Sequence, residues 1–495
     1  MNVVAVVGPV RSRIAPVPPS SRAALLARFT IPVAGAYFAR RARPGWDGAI
    51  RYFAADGSFL SGFLPEVVSI LRTDGHRVAY EDRRSLARRR RFGPCRVRLR
   101  DYQARVLNDV IETGTRCTVK AATGSGKTEL MIALTHRLAA RALFVTPGVD
   151  LATQTCDRFA AALPWGHVGL LTGRGGDVAI DQSENANVVV ANVQGLAAKT
   201  RARTLRWNAK LRRRTWQLGA FTTEGLLFLA TFDLVIADEC HWGTTSLEAA
   251  KLFERCPARY RVALSATPET GDRCRDALLV GHFGEVVGEV TQPFLRDAGY
   301  SAPVTGHVLD YAKPVKIATT SWPRQHTIGI VDCRSRNVVI ARAVECEATA
   351  GHRCLVIVDR YRHGHALSAE IAQPCNFVTG ANRKDRARML DEFRSRRVPV
   401  MLATSVFNQG IDVKEIDCLF IAAGGASERL AVQRGGRLVR WSGTDKVLYD
   451  CRDEDIYDGR VVPPAKRFLE THYRNRLIAY RNEGFTVEGD NHETG

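Results

Sequence analysis

The sequence predicts an α/β protein: two parallel-sheet domains in tandem, preceded by a small α+β accessory domain. Three observations point there. Short, almost wholly apolar runs recur along the chain with helical patterns between them, as expected of strands that helices bury on both faces. The 495 residues suffice for about three domains of roughly 100 to 200 residues each. Hydrophobic residues make up 45% and charged residues 25%, the usage of a chain that folds around real cores.

Taken in order, Met1-Asn2-Val3-Val4-Ala5-Val6-Val7 reads as a first β-strand. No basic residue precedes it and Arg11 and Arg13 follow at once, which is not the layout of a secretory signal. Residues 1–96 form the accessory domain and a basic linker, closed by Arg83-Arg84, Arg88-Arg89-Arg90-Arg91 and the breaker Gly93-Pro94. In the first parallel-sheet domain, 97–295, core strands fall at Cys117 to Val119, Ala142 to Val145, Val188 to Val190, Leu234 to Ile236 and Val262 to Leu264. Leu355 to Val358, Val398 to Leu402, Leu419 to Ala422 and Val447 to Tyr449 serve the second, 296–455. A tail, 456–495, is helical through Ala465 to Tyr480. No repeat of solenoid length and no low-complexity tract interrupts this plan.

One segment stands apart from the sheets. Lys199 to Arg214 holds eight basic residues and no acidic one, with Trp207 inside it and Trp216 just beyond. Two readings stay open: a solvated helix face, or an insertion whose Arg and Trp side chains pair with phosphates and stack on bases.

The net charge of +20 calls for a polyanionic partner, nucleic acid first. No apolar run approaches the roughly 18 to 20 residues that span a bilayer, which argues against a membrane partner. None of the twelve cysteines is spaced as Cys-x-x-Cys, so neither a zinc site of the usual kind nor a disulfide frame is expected. They fit reduced thiols in a cytosol, that of a bacterium or of a phage-infected host.

Chemistry concentrates first at Ala121-Ala122-Thr123-Gly124-Ser125-Gly126-Lys127-Thr128. A glycine-rich turn between a strand and a helix, here one with Leu130, Met131, Leu134 and Leu138 on its apolar face, lets backbone amides close on phosphate oxygens at a helix N-terminus. Thr123, Gly124, Ser125 and Gly126 would supply that cradle. Lys127 would reach the outer phosphates of ATP, and the Thr128 hydroxyl would ligate Mg²⁺. Following Lys127 by 111 residues (238 minus 127), the strand Asp233 to Ala237 ends in Asp238-Glu239-Cys240-His241. One carboxylate cannot do two jobs: Asp238 would hold Mg²⁺ and Glu239 would take the proton of the attacking water.

With these two motifs, residues 97 to 455 resemble the DExH-type helicases of superfamily 2, and the resemblance implies two RecA-like motor domains. Leu99-Arg100-Asp101-Tyr102-Gln103 is similar to the family's adenine-reading segment, with Gln103 as base contact. Val145-Thr146-Pro147 with Gln154, and Ala191-Asn192-Val193-Gln194, resemble its strand-gripping motifs. Ala263-Leu264-Ser265-Ala266-Thr267-Pro268 matches the segment that couples hydrolysis to movement through Ser265 and Thr267. In the second domain, Val400 to Ser405 and Gly410-Ile411-Asp412 are similar to the motif that meets nucleotide and nucleic acid, giving Gly410 and Asp412 to the nucleotide and Gly380 and Thr404 to the strand. Gln433-Arg434-Gly435-Gly436-Arg437-Leu438-Val439-Arg440 matches the family's arginine-bearing pattern, making Gln433, Arg437 and Arg440 catalytic. An arginine of this kind stabilises charge building on the transferred phosphoryl group. Three positions depart from the pattern: Ala121 replaces its first glycine, as is common in superfamily 2, Gly435 a bulky apolar residue, and Gln409 an acid carried by many relatives.

The N-terminal segment adds a narrower resemblance. Phe29 to Val33, Phe38, Gly45-Trp46-Asp47-Gly48, Ile50-Arg51-Tyr52-Phe53, Gly57 and Gly62-Phe63-Leu64-Pro65 are similar to the accessory domain of phage-type branched-DNA helicases, the UvsW-like group. It implies an ATP-dependent helicase or translocase that remodels forked or junction DNA in recombination, repair or replication. The alternatives are the motor subunit of a restriction or defence system and an RNA helicase; protein partners are not implied. A scaffold that binds nucleotide only as a clamp is disfavoured, because Lys127, Asp238, Glu239, Arg437 and Arg440 all stand in place.

Overall fold

The computed structural model describes all residues except 37–44, 165, 175–176, 182–184, 209–212, 244–246, 314–320, 380–384, 405–415, 426–437, 439–444, 455–466 and 490–495. Phe38, Gly380, Gly410, Asp412, Gln433, Arg437 and Arg440 therefore lie outside the described residues. The chain forms two compact units, Met1–Ala121 with Gly126–Glu289, and Val290–Gly495 with the loop Ala122–Ser125.

The N-terminal part contains strands β1 (Asn2–Val7), β2 (Arg11–Ala15), β3 (Thr30–Pro32), β4 (Ala49–Arg51), β5 (Ser58–Leu60) and β6 (Arg77–Asp82). Four of them make a sheet in the order β5-β2-β1-β6, with β1 antiparallel to β2 and parallel to β6. In β1, Val3, Ala5 and Val7 are buried while Asn2 and Val4 are exposed, the period-two pattern of a sheet covered on one face. Helices Pro19–Arg28 and Leu64–Thr73 supply that cover through Leu25, Val67 and Leu71, which meet Phe29, Phe53 and Phe59 in one core. This small α+β domain is the one expected. It is docked on helix Arg273–Phe283 of the same unit: Ala277, Leu278 and Val280 line its core, and Tyr52 donates to the Cys274 carbonyl at 2.7 Å. Gly62 is required at this junction, since a Cβ there would collide with the Val280 carbonyl.

The larger sheet of this unit takes β7 (Arg116–Ala121), β8 (Ala142–Thr146), β9 (Val168–Arg174), β10 (Asp177–Asp181), β11 (Val188–Asn192), β14 (Leu234–Ala237), β15 (Tyr260–Ser265) and β16 (Val286–Val290). Their order is β10-β9-β11-β8-β14-β15-β7-β16. From β9 to β7 every neighbouring pair is parallel, and only β10 is seen to turn back, antiparallel to β9. Strands β8, β11 and β14 are buried at every residue, which is why each reads as an unbroken apolar run.

Between β11 and β14 the basic insertion departs from the helical reading. Residues Arg201–Asn208 and Arg213–Phe221 form β12 and β13, a two-stranded antiparallel ribbon with Leu205 opposite Trp216 and Trp207 opposite Arg214. At its base Arg201 is ion-paired with Glu248 and donates to the Gly219 carbonyl at 2.7 Å.

The second unit is built on β17 (Val304–Leu309), β18 (Cys354–Ile357), β19 (Cys375–Val378), β20 (Val400–Ala403), β21 (Cys418–Ile421), β22 (Lys446–Cys451) and β23 (Thr486–Glu488). All neighbours in the order β19-β20-β18-β21-β22-β17-β23 are parallel. The tail belongs to this sheet: helix Phe468–Asn482 buries Tyr473, Leu477 and Tyr480 in its core, and β23 pairs with β17. Among the described residues, no helix is long and apolar enough to cross a membrane.

Candidate active site

A parallel sheet delivers the loops after all its strands to one edge, and in open α/β sheets that edge is where ligands bind. Ser265, at the end of β15, lies in register with Lys120 on β7. Ala237 at the end of β14 lies beside Ala263 and Val145, and Asn192 beside Thr146. The glycine-rich loop, the Asp-Glu pair, the Ser-Ala-Thr segment and both strand-gripping segments therefore leave the sheet along one rim.

The loop after β7 is a turn only glycine permits at two points, with φ of +85° at Gly124 and +76° at Gly126. Helix Lys127–Leu138 starts directly after it. A Cβ on Gly126 would collide with the side-chain amide of Gln103, whereas Gly124 has open space around it. Gln103 is buried, and its Oε1 accepts from the Arg100 amide at 2.9 Å, so the expected base-reading residue is anchored beside the loop. Lys127 Nζ donates to the Ala121 carbonyl at 2.9 Å.

Asp238 and Glu239 follow the buried β14. The Asp238 amide donates to the Val145 carbonyl at 2.9 Å, and Asp238 Oδ1 accepts from the Glu239 amide, also at 2.9 Å. Burial first, and the neighbouring Glu239 charge second, push the Asp238 carboxyl up to about 7, against the pull of Lys127. A divalent cation beside such a carboxylate would compensate both effects, so the donor set of Thr128 and Asp238 fits Mg²⁺. Glu239 has a φ of +48°, a left-handed backbone costly for a side-chain-bearing residue.

Glu239 is also wired to the Ser-Ala-Thr segment. Its Oε2 lies 3.5 Å from His241 Nδ1, that nitrogen lies 2.8 Å from Ser265 Oγ, and Ser265 Oγ accepts from the Thr267 amide at 3.0 Å. The Asp-Glu-Cys-His run gave His241 no role of its own; its place in this chain is what sequence reasoning missed. A second missed residue is Arg158, on helix Val149–Ala162, whose Nη1 donates to Thr128 Oγ1 at 3.4 Å. A basic residue thirty positions from the loop carries no sequence signal of that approach.

The expected strand contacts divide. Gln194 is exposed, and Pro147, Gln154 and Thr404 are partly exposed. Thr146 and Asn192 are both fully buried. The Thr146 hydroxyl donates to the Gly148 carbonyl at 3.0 Å. Asn192 caps helix Val193–Thr200 through the Gly195 amide at 3.0 Å and accepts from the Gly173 amide at 3.2 Å. Their side chains shape the loops and do not reach out. In the second unit Leu438, inside the arginine-bearing segment, is buried in the core.

Comparison with known proteins agrees with this geometry. Residues 96–270 match the family of the type III restriction enzyme res subunit, and residues 337–442 the helicase conserved C-terminal domain. The chain is 24% identical to the putative DNA 3'-5' helicase Rad25 of Haloarcula marismortui, across 71% of this chain and 52% of that protein. It is 21% identical to the ATP-dependent DNA helicase uvsW of Enterobacteria phage T4, across 69% of this chain and 66% of that one. The match thus spans about half of the first relative's length and just under two thirds of the second's. In fold it is similar to S. cerevisiae Dbp5 bound to RNA and ADP BeF3, with a TM-score of 0.51 and 14% identity over 80% of this chain and 89% of that one.

Proposed function

We propose that this chain, with its two segments matching helicase families, carries both motor domains of a superfamily 2 helicase and couples ATP hydrolysis to movement along DNA, unwinding or branch-migrating forked and junction substrates. The single observation that carries the catalytic part is the half-buried Asp238-Glu239 pair on the same rim as the glycine-rich loop, with Asp238 pushed up to about 7 by desolvation and by Glu239.

In this reading the amides of Thr123 to Gly126 bind phosphate oxygens, Lys127 neutralises charge on the outer phosphates, and Gln103 reads the base. Thr128 and Asp238 would hold Mg²⁺, which when bound neutralises charge on the phosphates. Glu239 accepts the proton of the attacking water. Its charge lies 3.5 Å from His241 Nδ1, and hydrogen bonds run on from His241 through Ser265 to Thr267, which gives hydrolysis an electrostatic route to the coupling segment. Gly410 and Asp412 take further contacts to the nucleotide. Gln433, Arg437 and Arg440 would stabilise charge on the transferred phosphoryl group. Strand contacts fall to Pro147, Gln154, Gln194, Gly380 and Thr404, with the backbone around Thr146 and Asn192.

DNA as substrate is supported by the names of the haloarchaeal and phage relatives and by the net charge of +20. The match of residues 96–270 to the res subunit family favours a second reading, the motor of a restriction assembly. ATPase and unwinding assays run side by side on single-stranded, forked and four-way-junction DNA and on an RNA duplex decide between them. Stimulation and strand separation on branched DNA are expected. Stimulation by RNA alone overturns the DNA assignment, and DNA-stimulated hydrolysis without unwinding of any substrate favours the restriction motor.

A further inference from the structure

Where β18 and β21 of the second sheet begin, the chain gathers a set of soft and borderline metal donors that the ATPase reading does not use. Helix Arg334–Thr349 ends in a left-handed turn at Gly351, φ +88°, and the His352 amide donates back to the Glu347 carbonyl at 3.0 Å. That reversal places the imidazole over the carboxylate, His352 Nδ1 lying 2.5 Å from Glu347 Oε2. Two residues on, Cys354 opens β18, and it is the register partner of Cys418, which opens β21. Partners on adjacent parallel strands present side chains to the same face, so the two thiols are neighbours. Cys418 Sγ lies 3.2 Å from Glu347 Oε2. The ligand atoms of Glu347, His352 and Cys418 fall within 4.8 Å of one another.

We propose that Glu347, His352, Cys354 and Cys418 form a zinc-class site, tetrahedral and separate from the nucleotide site, that ties the end of helix Arg334–Thr349 to the first residues of β18 and β21. Tetrahedral zinc with bonds of roughly 2.0 to 2.3 Å needs donors about 3.3 to 3.8 Å apart. The Cys418–Glu347 separation of 3.2 Å falls just short of that range; the His352–Glu347 pair must open by about 1 Å, which is cheap for a residue exposed at a helix end, and the Cys354 thiol must turn in from beside Cys418 to join the other three. The outer shell is already built: the Tyr449 hydroxyl donates to Glu347 Oε1 at 2.5 Å, orienting the carboxylate and leaving Oε2 for the ion. Metal entry would displace the Cys418 and Cys354 thiol protons to solvent. Helix end, strand start and neighbouring strand supply the ligands, so the Glu-x₄-His-x-Cys spacing with a distant fourth ligand escapes a search for Cys-x-x-Cys.

The test uses the full chain, stripped of metal and kept reduced, and Co²⁺ alone as probe. One equivalent should give thiolate-to-cobalt charge-transfer absorption with tetrahedral d–d bands, displaced by Zn²⁺. Cys418→Ser should weaken the charge-transfer band and Cys418→Ser with Cys354→Ser abolish it, and His352→Ala and Tyr449→Phe should each weaken Co²⁺ by roughly tenfold or more. Cys95→Ser should leave it unchanged. Wild-type chain without a tetrahedral thiolate spectrum overturns the proposal. So does a spectrum and affinity that survive His352→Ala, a half-exposed position whose substitution leaves the core intact.

Discussion

Glu239 asks two opposite things of one residue. Its backbone sits in the left-handed region, where a side chain costs about 1 kcal/mol or more relative to glycine, while the proposed chemistry needs its carboxylate. Glu239→Gln should therefore abolish nucleic-acid-stimulated ATP hydrolysis with little change in stability, and Glu239→Gly should abolish it while stabilising the first unit by about 1 kcal/mol in denaturant unfolding. Hydrolysis intact in Glu239→Gln would remove it as the base. Asp238 carries a pH signature instead. Its carboxyl is raised from 3.8 to about 7, so between these values the folded chain holds a proton that the unfolded chain releases. Its contribution to stability is full below about pH 4 and is lost as pH rises through about 7. Mg²⁺ needs the ionised form, so stabilisation by Mg²⁺ should grow over that same window and level off above it. Melting temperatures measured with and without Mg²⁺ from pH 5 to 8 should diverge in this way, and Asp238→Asn should flatten the divergence; an equal Mg²⁺ effect at every pH would dismiss the assignment.

Secondary-structure elements were legible in the sequence where burial is two-sided. β8, β11 and β14 are unbroken apolar runs because helices cover both faces, and the motifs sit at their ends because parallel strands expose only loops there. The ribbon β12-β13 was not legible as strand: the apolar positions of Arg201–Asn208 are too few to set a period of two against a period of 3.6. Nor could spacing reveal that Thr146 and Asn192 turn inward, since the same short polar residues cap loops and grip ligands. Least visible was the buried ion network behind the second sheet. Arg476, on the tail helix, bonds Asp450 Oδ2 at 2.7 Å and Asp453 Oδ2 at 2.9 Å and donates to the Gly425 carbonyl at 3.0 Å. Arg336 reaches Asp453 Oδ1 at 2.8 Å. A charged residue in a helical stretch normally signals a solvated face, and only the fold reveals that this one is inside. Because removing one member strands its partners without water, Arg476→Met should destabilise the second unit by roughly 3–5 kcal/mol, and Asp450→Asn in the same chain should recover part of the loss. Urea unfolding followed by a probe in the second unit reads both; a loss below about 1 kcal/mol would mean that water reaches the network.

For the whole molecule, these buried pairs settle where the surplus charge lies. The network's arginines and aspartates cancel in place and, apart from buried arginines such as Arg261 that rest on backbone carbonyls, the excess of 71 basic over 51 acidic residues is left to act on a polyanion. The ribbon is one of its dense stretches of sequence, but not every arginine there is available: Arg201 is held by Glu248 and by the Gly219 carbonyl and anchors the ribbon's base. The arginines beyond that anchor are the ones that should bear on phosphates. Arg206→Ala, Arg213→Ala and Arg214→Ala together should weaken binding to forked DNA and reduce the slope of log affinity against log salt by about 0.9 for each phosphate no longer neutralised. Hydrolysis without DNA should stay unchanged, because none of the three belongs to the nucleotide rim. Arg201→Ala should behave differently, loosening the ribbon and lowering stability while leaving the salt slope nearly intact. If the triple variant kept the wild-type slope, the ribbon would have no part in strand binding, and the charge would have to act from the arginine run before residue 100.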